Sequence, residues 1–166
     1  PVAVRGPLAT RYVQQFLRNV AWGDVDFLIL DLPPGTGDIQ LTIVQTAELD
    51  GVVVVTTPQE VALIDARKAI GLFERVETPI LGIIENMSYF QCPSDGKIYH
   101  IFGEGGGERE AAKLGVPLLG KIPLDISTRF GGDEGRPVAL EDPGQNPVSA
   151  AFRQVAEQCA RVVLDR

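Results

Sequence analysis

Apolar residues along this chain fall into two alternating rhythms. Short, mostly apolar runs stand at 27–32 (FLILDL), 52–57 (VVVVTT), 79–85 (PILGIIE) and 118–122 (LLGKI). Runs this short, rich in Val and Ile and bounded by Gly, Pro or Asp, predict strands buried on both faces of a parallel sheet. Between them apolar positions recur three and four apart, which predicts helices over 8–20, 39–48, 60–75, 108–114 and 147–164. In the helix over 60–75 the pattern puts Val61, Ile64, Ala69, Leu72 and Phe73 on the buried side. Residues 87–107 follow neither rhythm and predict an irregular stretch with a short hairpin at Asp95-Gly96. Strands alternating with helices imply right-handed crossovers, hence the α/β class: a mostly parallel β-sheet with helices on both faces. No repeat or low-complexity linker interrupts the alternation, so residues 1–166 read as a single domain.

Bulk composition narrows the function. Net charge is −7 with a pI near 4.7, and no basic patch interleaved with aromatics occurs, which argues against nucleic acid as a partner. No apolar run approaches the ~18 residues of a membrane span, so no membrane partner is expected. Cys92 and Cys159 are too few for a disulfide framework and suit a reducing, cytoplasmic setting.

The densest chemistry lies at 26–38, DFLILDLPPGTGD. Asp31 stands at the C-terminal end of the predicted strand, where open α/β sheets bind ligands. An unpaired carboxylate is costly to bury, and a hard cation such as Mg²⁺ answers that need. Pro33 and Pro34 stiffen the entry to a loop in which Gly35 and Gly37 permit positive φ, so backbone amides can move toward a terminal phosphate. Asp38 is placed as the cap of the helix that follows.

Other residues carry two readings each. Asn86 follows the strand at 79–85 and can pair with a purine edge or bond its own backbone in a turn. Asp125 ends GKIPLD and can flank a nucleotide or cap the helix-like segment IST. Asp65 can face a ligand or pair with Lys68 three residues on. Gly103, Gly105, Gly106 and Gly107 look like a phosphate nest, yet Glu104, Glu108 and Glu110 surround them. Those carboxylates would satisfy the helix dipole and repel phosphate, leaving a flexible loop. His100 reads as a surface residue and Cys159 as core.

Taken in order, these segments resemble the Walker B and switch II region of the MinD/ParA-type P-loop ATPases, and within that group the Mrp-type iron–sulfur cluster carriers. The resemblance rests on RGPL from Arg5, QQFLRNVAWGDVDFLILDLPPGTGD from Gln14 and TTPQEVALIDARKA from Thr56. ENMSYFQCP from Glu85, FGEGGGE from Phe102 and GKIPLD from Gly120 complete it. It implies ATP with Mg²⁺ as cofactor, Asp31 holding the Mg²⁺ shell, and a catalytic loop including Gly35 and Asp38 that senses the γ-phosphate. It further implies Asn86 on adenine, Pro123, Leu124 and Asp125 beside the base and sugar, and Asp65 near a subunit interface across the nucleotide. The resemblance also implies a homodimer handling a [4Fe–4S] cluster for apo-protein clients alongside assembly factors.

Two departures qualify that picture. The family carries Cys-Pro-x-Cys after NMSYF, whereas this chain reads Cys92-Pro93-Ser94-Asp95, so a dimer offers two thiolates and two carboxylates as metal ligands. Oxygen donors are harder than thiolate, so a cluster held this way is expected to be more labile. No G-x-x-x-x-G-K-[ST] occurs either. In the family that loop lies upstream, so the chain is read as the C-terminal portion of a P-loop ATPase domain, incomplete without the P-loop strand and not expected to hydrolyse ATP alone. A MinD-like positioning ATPase and a non-catalytic interaction module derived from the ATPase are the alternatives.

Overall fold

Val52–Thr56 forms β1 because β-branched side chains are stiff at χ1 and pack well on a pleated surface. The computed structural model describes residues 6–32 and 37–165. After β1 come β2 (Ile80–Glu85), the two-residue strands β3 (Phe90–Gln91) and β4 (Ile98–Tyr99), and β5 (Leu118–Lys121). β1, β2 and β5 form one sheet in that order, parallel throughout, while β3 and β4 pair antiparallel around Asp95-Gly96 as the sequence predicts.

Register decides which residues meet. Val54 lies opposite Ile83, and Ile83 opposite Leu118. On that face α3 (Glu60–Arg75) and α4 (Gly106–Leu114) cover the sheet, and Ala66, Ile70 and Ala111 close the core over Val54 and Ile83. The opposite face is covered by α6 (Pro147–Leu164), whose Val155 packs so closely that a Cβ on Gly120 would fall 2.5 Å from Val155 Cγ2. Helices therefore sit on both faces. α6 starts at Asn146, whose Oδ1 accepts the amides of Val148 and Ser149 at 2.8 and 3.2 Å, with Pro147 at the first helical position.

Several expectations need correction. Residues 27–32 form no strand: Phe27 and Leu28 are half exposed and Ile29 is 87% exposed. A parallel strand needs a hydrogen-bonded neighbour, and among the described residues β1 pairs only with β2. The first two helices are α1 (Gly6–Asn19) and α2 (Asp38–Thr46), which pack on each other, and Gly37 rather than Asp38 occupies the cap position of α2. In α3 the buried residues are Leu63, Ala66, Ile70 and Phe73, whereas Val61 and Ile64 are exposed. The helix carries two apolar stripes, and only packing selects one. α5 (Ile126–Asp133) falls where the sequence shows mostly polar and glycine residues, and a 3₁₀ turn follows at Val138–Leu140.

No helix among the described residues is long and apolar enough to cross a membrane.

Candidate functional site

Beyond the ends of β1, β2 and β5 the backbone ladder continues, and this sets the site. Asn86 N–H donates to Thr56 O at 2.7 Å, and Ile122 N–H to Glu85 O at 2.9 Å. Ser88 N–H then donates to Ile122 O at 3.0 Å, and Leu124 N–H to Tyr89 O at 2.7 Å. The residues after β2 and those after β5 thus run side by side, bringing Asn86 and Pro123–Leu124–Asp125 to one sheet edge. This is the carboxyl edge at which open α/β sheets bind ligands.

Asn86 accepts the Met87 amide through Oδ1 at 2.9 Å, so the turn reading describes its oxygen. Its Nδ2 donates to no described residue, which leaves the donor a purine acceptor needs. Met87 is held at φ +53°, a conformation uncommon for non-glycine residues. Pro123 is buried. Asp125 caps α5, accepting the Thr128 amide at 2.8 Å, the Thr128 hydroxyl at 3.1 Å and the Ser127 hydroxyl. Burial opposes its ionisation, but the Ser127 and Thr128 bonds outweigh it and hold the carboxyl below its ordinary range. Beside Asp125 lies an apolar groove of about 310 Å³ lined by Phe90, Ile101, Leu124, Asp125, Ile126 and Arg129.

The β3–β4 hairpin springs from the same edge. Cys92 N–H donates to Lys97 O and Gly96 N–H to Cys92 O, both at 2.9 Å, and Gly96 takes φ +70° to close the turn. Asp95 Oδ1 accepts the Lys97 amide at 3.1 Å. Cys92 Sγ lies 3.0 Å from Ser94 Oγ. The Ser94 hydroxyl and then its amide lower the Cys92 thiol from its ordinary value, favouring thiolate. The Lys97 amide and then the Cys92 thiol lower the Asp95 carboxyl. One turn thus holds a soft donor and a hard donor together. Among the described residues no three His, Cys, Asp or Glu side chains gather as a metal-ligand group.

The remaining candidates lie elsewhere. Asp31 is exposed, Pro33, Pro34, Gly35 and Thr36 lie outside the described residues, and Asp38 opens α2. Asp65 is exposed on α3 and pairs with Lys68 at 2.9 Å. His100 pairs loosely with Glu104, Nε2 to Oε1 at 3.7 Å, away from the Cys92 turn's hydrogen bonds. Cys159 is half-buried in α6 rather than fully in the core, and burial raises its thiol.

The glycine run also needs correction. Gly106 and Gly107 are buried helical residues, not a flexible loop. A Cβ on Gly106 would meet Pro58 O at 2.4 Å, and one on Gly107 would meet Glu85 Cβ at 3.1 Å. The carboxylate at the helix N-terminus is Glu85, whose Oε2 accepts the Gly107 amide at 2.7 Å. Glu108 instead pairs with Lys121 at 2.9 Å, and Glu110 with Arg67 through two bonds of 2.8 and 2.7 Å. Glu85 is fully buried, and periodicity does not single it out, although a lone acid closing an apolar strand is its signal.

The family model of the NUBPL iron-transfer P-loop NTPases, within the ParA group, matches residues 1–160. The iron-sulfur cluster carrier protein of Pyrococcus furiosus is 49% identical over 158 residues, 95% of this chain and 53% of that protein. An Arabidopsis thaliana protein, the mitochondrial iron-sulfur protein required for NADH dehydrogenase, is 46% identical over 97% of this chain and 51% of its own length. Among solved structures, the nucleotide-binding protein in complex with ADP from Archaeoglobus fulgidus aligns with TM-score 0.70 and 43% identity, over 78% of this chain and 53% of that one. The septum site-determining protein MinD with Mg-ADP from Pyrococcus horikoshii aligns with TM-score 0.66 and 26% identity, over 90% of this chain and 56% of that one. The chain spans about half the length of the curated relatives it matches.

Proposed function

This chain belongs to the NUBPL iron-transfer P-loop NTPase family, and from that premise we propose that it works as part of an ATP-hydrolysing iron–sulfur cluster carrier. The observation that carries the reading is the meeting, at one sheet edge, of Asn86 and the Pro123–Asp125 segment with the hairpin bearing Cys92 and Asp95. A nucleotide seated there lies one short turn from the metal-binding hairpin.

In this reading Asn86 offers Nδ2 to adenine, Pro123 and Asp125 flank the base and sugar, Asp31 holds Mg²⁺, and the loop with Gly35 and Asp38 senses the γ-phosphate. Asp65 lies toward the partner subunit. The cluster, of [4Fe–4S] type, is cargo. Because one chain presents a single Cys92–Asp95 pair, two copies supply two thiolates and two carboxylates. The resulting homodimer passes the cluster to apo-protein clients and works with assembly factors in the cytoplasm, where both thiols stay reduced. Thiolate suits iron–sulfur chemistry, and the carboxylate weakens the hold, which favours release.

Anaerobic reconstitution tests the reading. The intact protein should hold one cluster per dimer, Cys92→Ser should abolish it, and Cys159→Ser should leave it unchanged. Asp95→Cys should raise retention, read as iron content and visible absorption. Retention by Cys92→Ser would place the ligands elsewhere. Iron held only by Asp95→Cys would favour an interaction module. Calorimetry with Mg·ATP should give weak or no binding to these 166 residues alone, and binding once a phosphate-cradling loop is supplied.

A further inference from the structure

The segment carrying Cys92 and Asp95 parts from the sheet beyond the Phe90–Leu124 bridge and returns at Gly107. Both of its stems reach a single side chain. Ser88 Oγ donates to Glu85 Oε1 at 2.5 Å, and the Gly107 amide donates to Glu85 Oε2 at 2.7 Å. Glu85 is wholly buried, and Ser88 and Gly107 are buried with it. Each carboxylate oxygen therefore holds one end of the excursion. The third attachment is covalent: Glu85 is the last residue of β2, directly before Asn86.

Packing makes this arrangement specific to its position. Gly107 approaches so closely that a Cβ there would lie 3.1 Å from Glu85 Cβ and 3.3 Å from Oε2. Gly106 sits against the Pro58 backbone, just beyond β1. The start of α4 is thus wedged between the ends of β1 and β2. Inside a protein such bonds are strong, and an unmatched partner is costly, so the three groups hold or fail together.

We infer that Glu85 is the positioning residue of the metal-binding hairpin, clamping both stems of residues 88–107 to the nucleotide edge of the sheet. Being wholly buried, it acts through the two stems it holds. It fixes where the Cys92 turn stands relative to Asn86. The consequence for metal rests on the role proposed for Cys92, whereas the clamp itself does not.

Hydrogen exchange on the metal-free intact protein separates the two. Glu85→Ala removes both acceptors, so amides in 88–107 should exchange roughly tenfold faster, while β1 and α6 stay within about twofold of the parent. Glu85→Gln should recover most of the protection, since its amide oxygen can still accept the Gly107 amide while its NH₂ faces the Ser88 oxygen. Should Glu85→Ala fail to fold, Ser88→Ala carries the test, because freeing one stem should speed exchange at 88–99 more than in the first turn of α4. Unchanged exchange in 88–107, or equal acceleration in every element, would overturn the clamp. Iron content then reads the consequence: Glu85→Ala should retain less iron than Glu85→Gln. A loosened hairpin with iron fully retained by Cys92→Ser would overturn the metal role and leave the clamp standing.

Discussion

Gly106→Ala puts one methyl group where the structure has no room for it. The new Cβ would lie 2.4 Å from Pro58 O and 2.9 Å from both Pro58 C and Cα. All three atoms are backbone, so no rotamer change relieves the contact. Overpacking of this kind costs ~1–3 kcal/mol, and a rigid backbone neighbour places this case toward the upper end. Alanine's better helix propensity offsets at most ~1 kcal/mol. The net loss is therefore about 2 kcal/mol, which for a domain of this size lowers Tm by roughly 4–8 °C. Gly71 supplies the control. It lies within α3 with nothing within 4 Å of where an added methyl group would stand, so Gly71→Ala should stabilise by ~0.4–1 kcal/mol. Urea titration of the intact protein reads both substitutions as shifts in midpoint at constant slope. A Gly106→Ala protein as stable as the parent would refute the close packing of α4 on Pro58. Equal destabilisation by Gly71→Ala would show that the loss does not come from that contact.

Three further outcomes follow from particular residues. If Asp31 holds Mg²⁺ as proposed, Asp31→Asn in the intact protein should lower ATP turnover more than ATP affinity, because such a ligand matters most as charge develops in the transition state; turnover against calorimetry shows the split. Asn146→Ala removes the acceptor for two amides at the start of α6 and should cost about 1 kcal/mol in denaturant unfolding. Hydrogen bonding from Arg67 lowers the Glu110 carboxyl below its ordinary value, against an opposing effect of burial. Its contribution to stability is therefore present above the ordinary carboxylate range and is lost as pH falls through the lowered value. Glu110→Gln should flatten the acid limb of the stability profile, measured by midpoints across that range.

Local chemistry alone determined much of this protein. VVVVT and ILGIIE form strands because β-branched and apolar residues in unbroken runs suit a sheet buried on both faces, and their parallel pairing follows from the helices between them. The Asp95-Gly96 turn was legible because glycine takes the positive φ at no steric cost. Asn86 and Asp125 were legible as polar residues following predicted strands, though whether Asp125 caps a helix was visible only with α5 in place. Tertiary structure decided the rest. FLIL has a strand's composition, but a strand is a relation between backbones and none of the described residues supplies its partner. The buried stripe of α3 depended on which of two apolar faces met Val54 and Ile83. Glu85 and Gly107 lie far apart in sequence, and the glycine run looked like a loose loop until the fold wedged it between Pro58 and Glu85. Periodicity reports what a segment can bury; only packing reports against what, and a buried carboxylate's meaning lies wholly in the second.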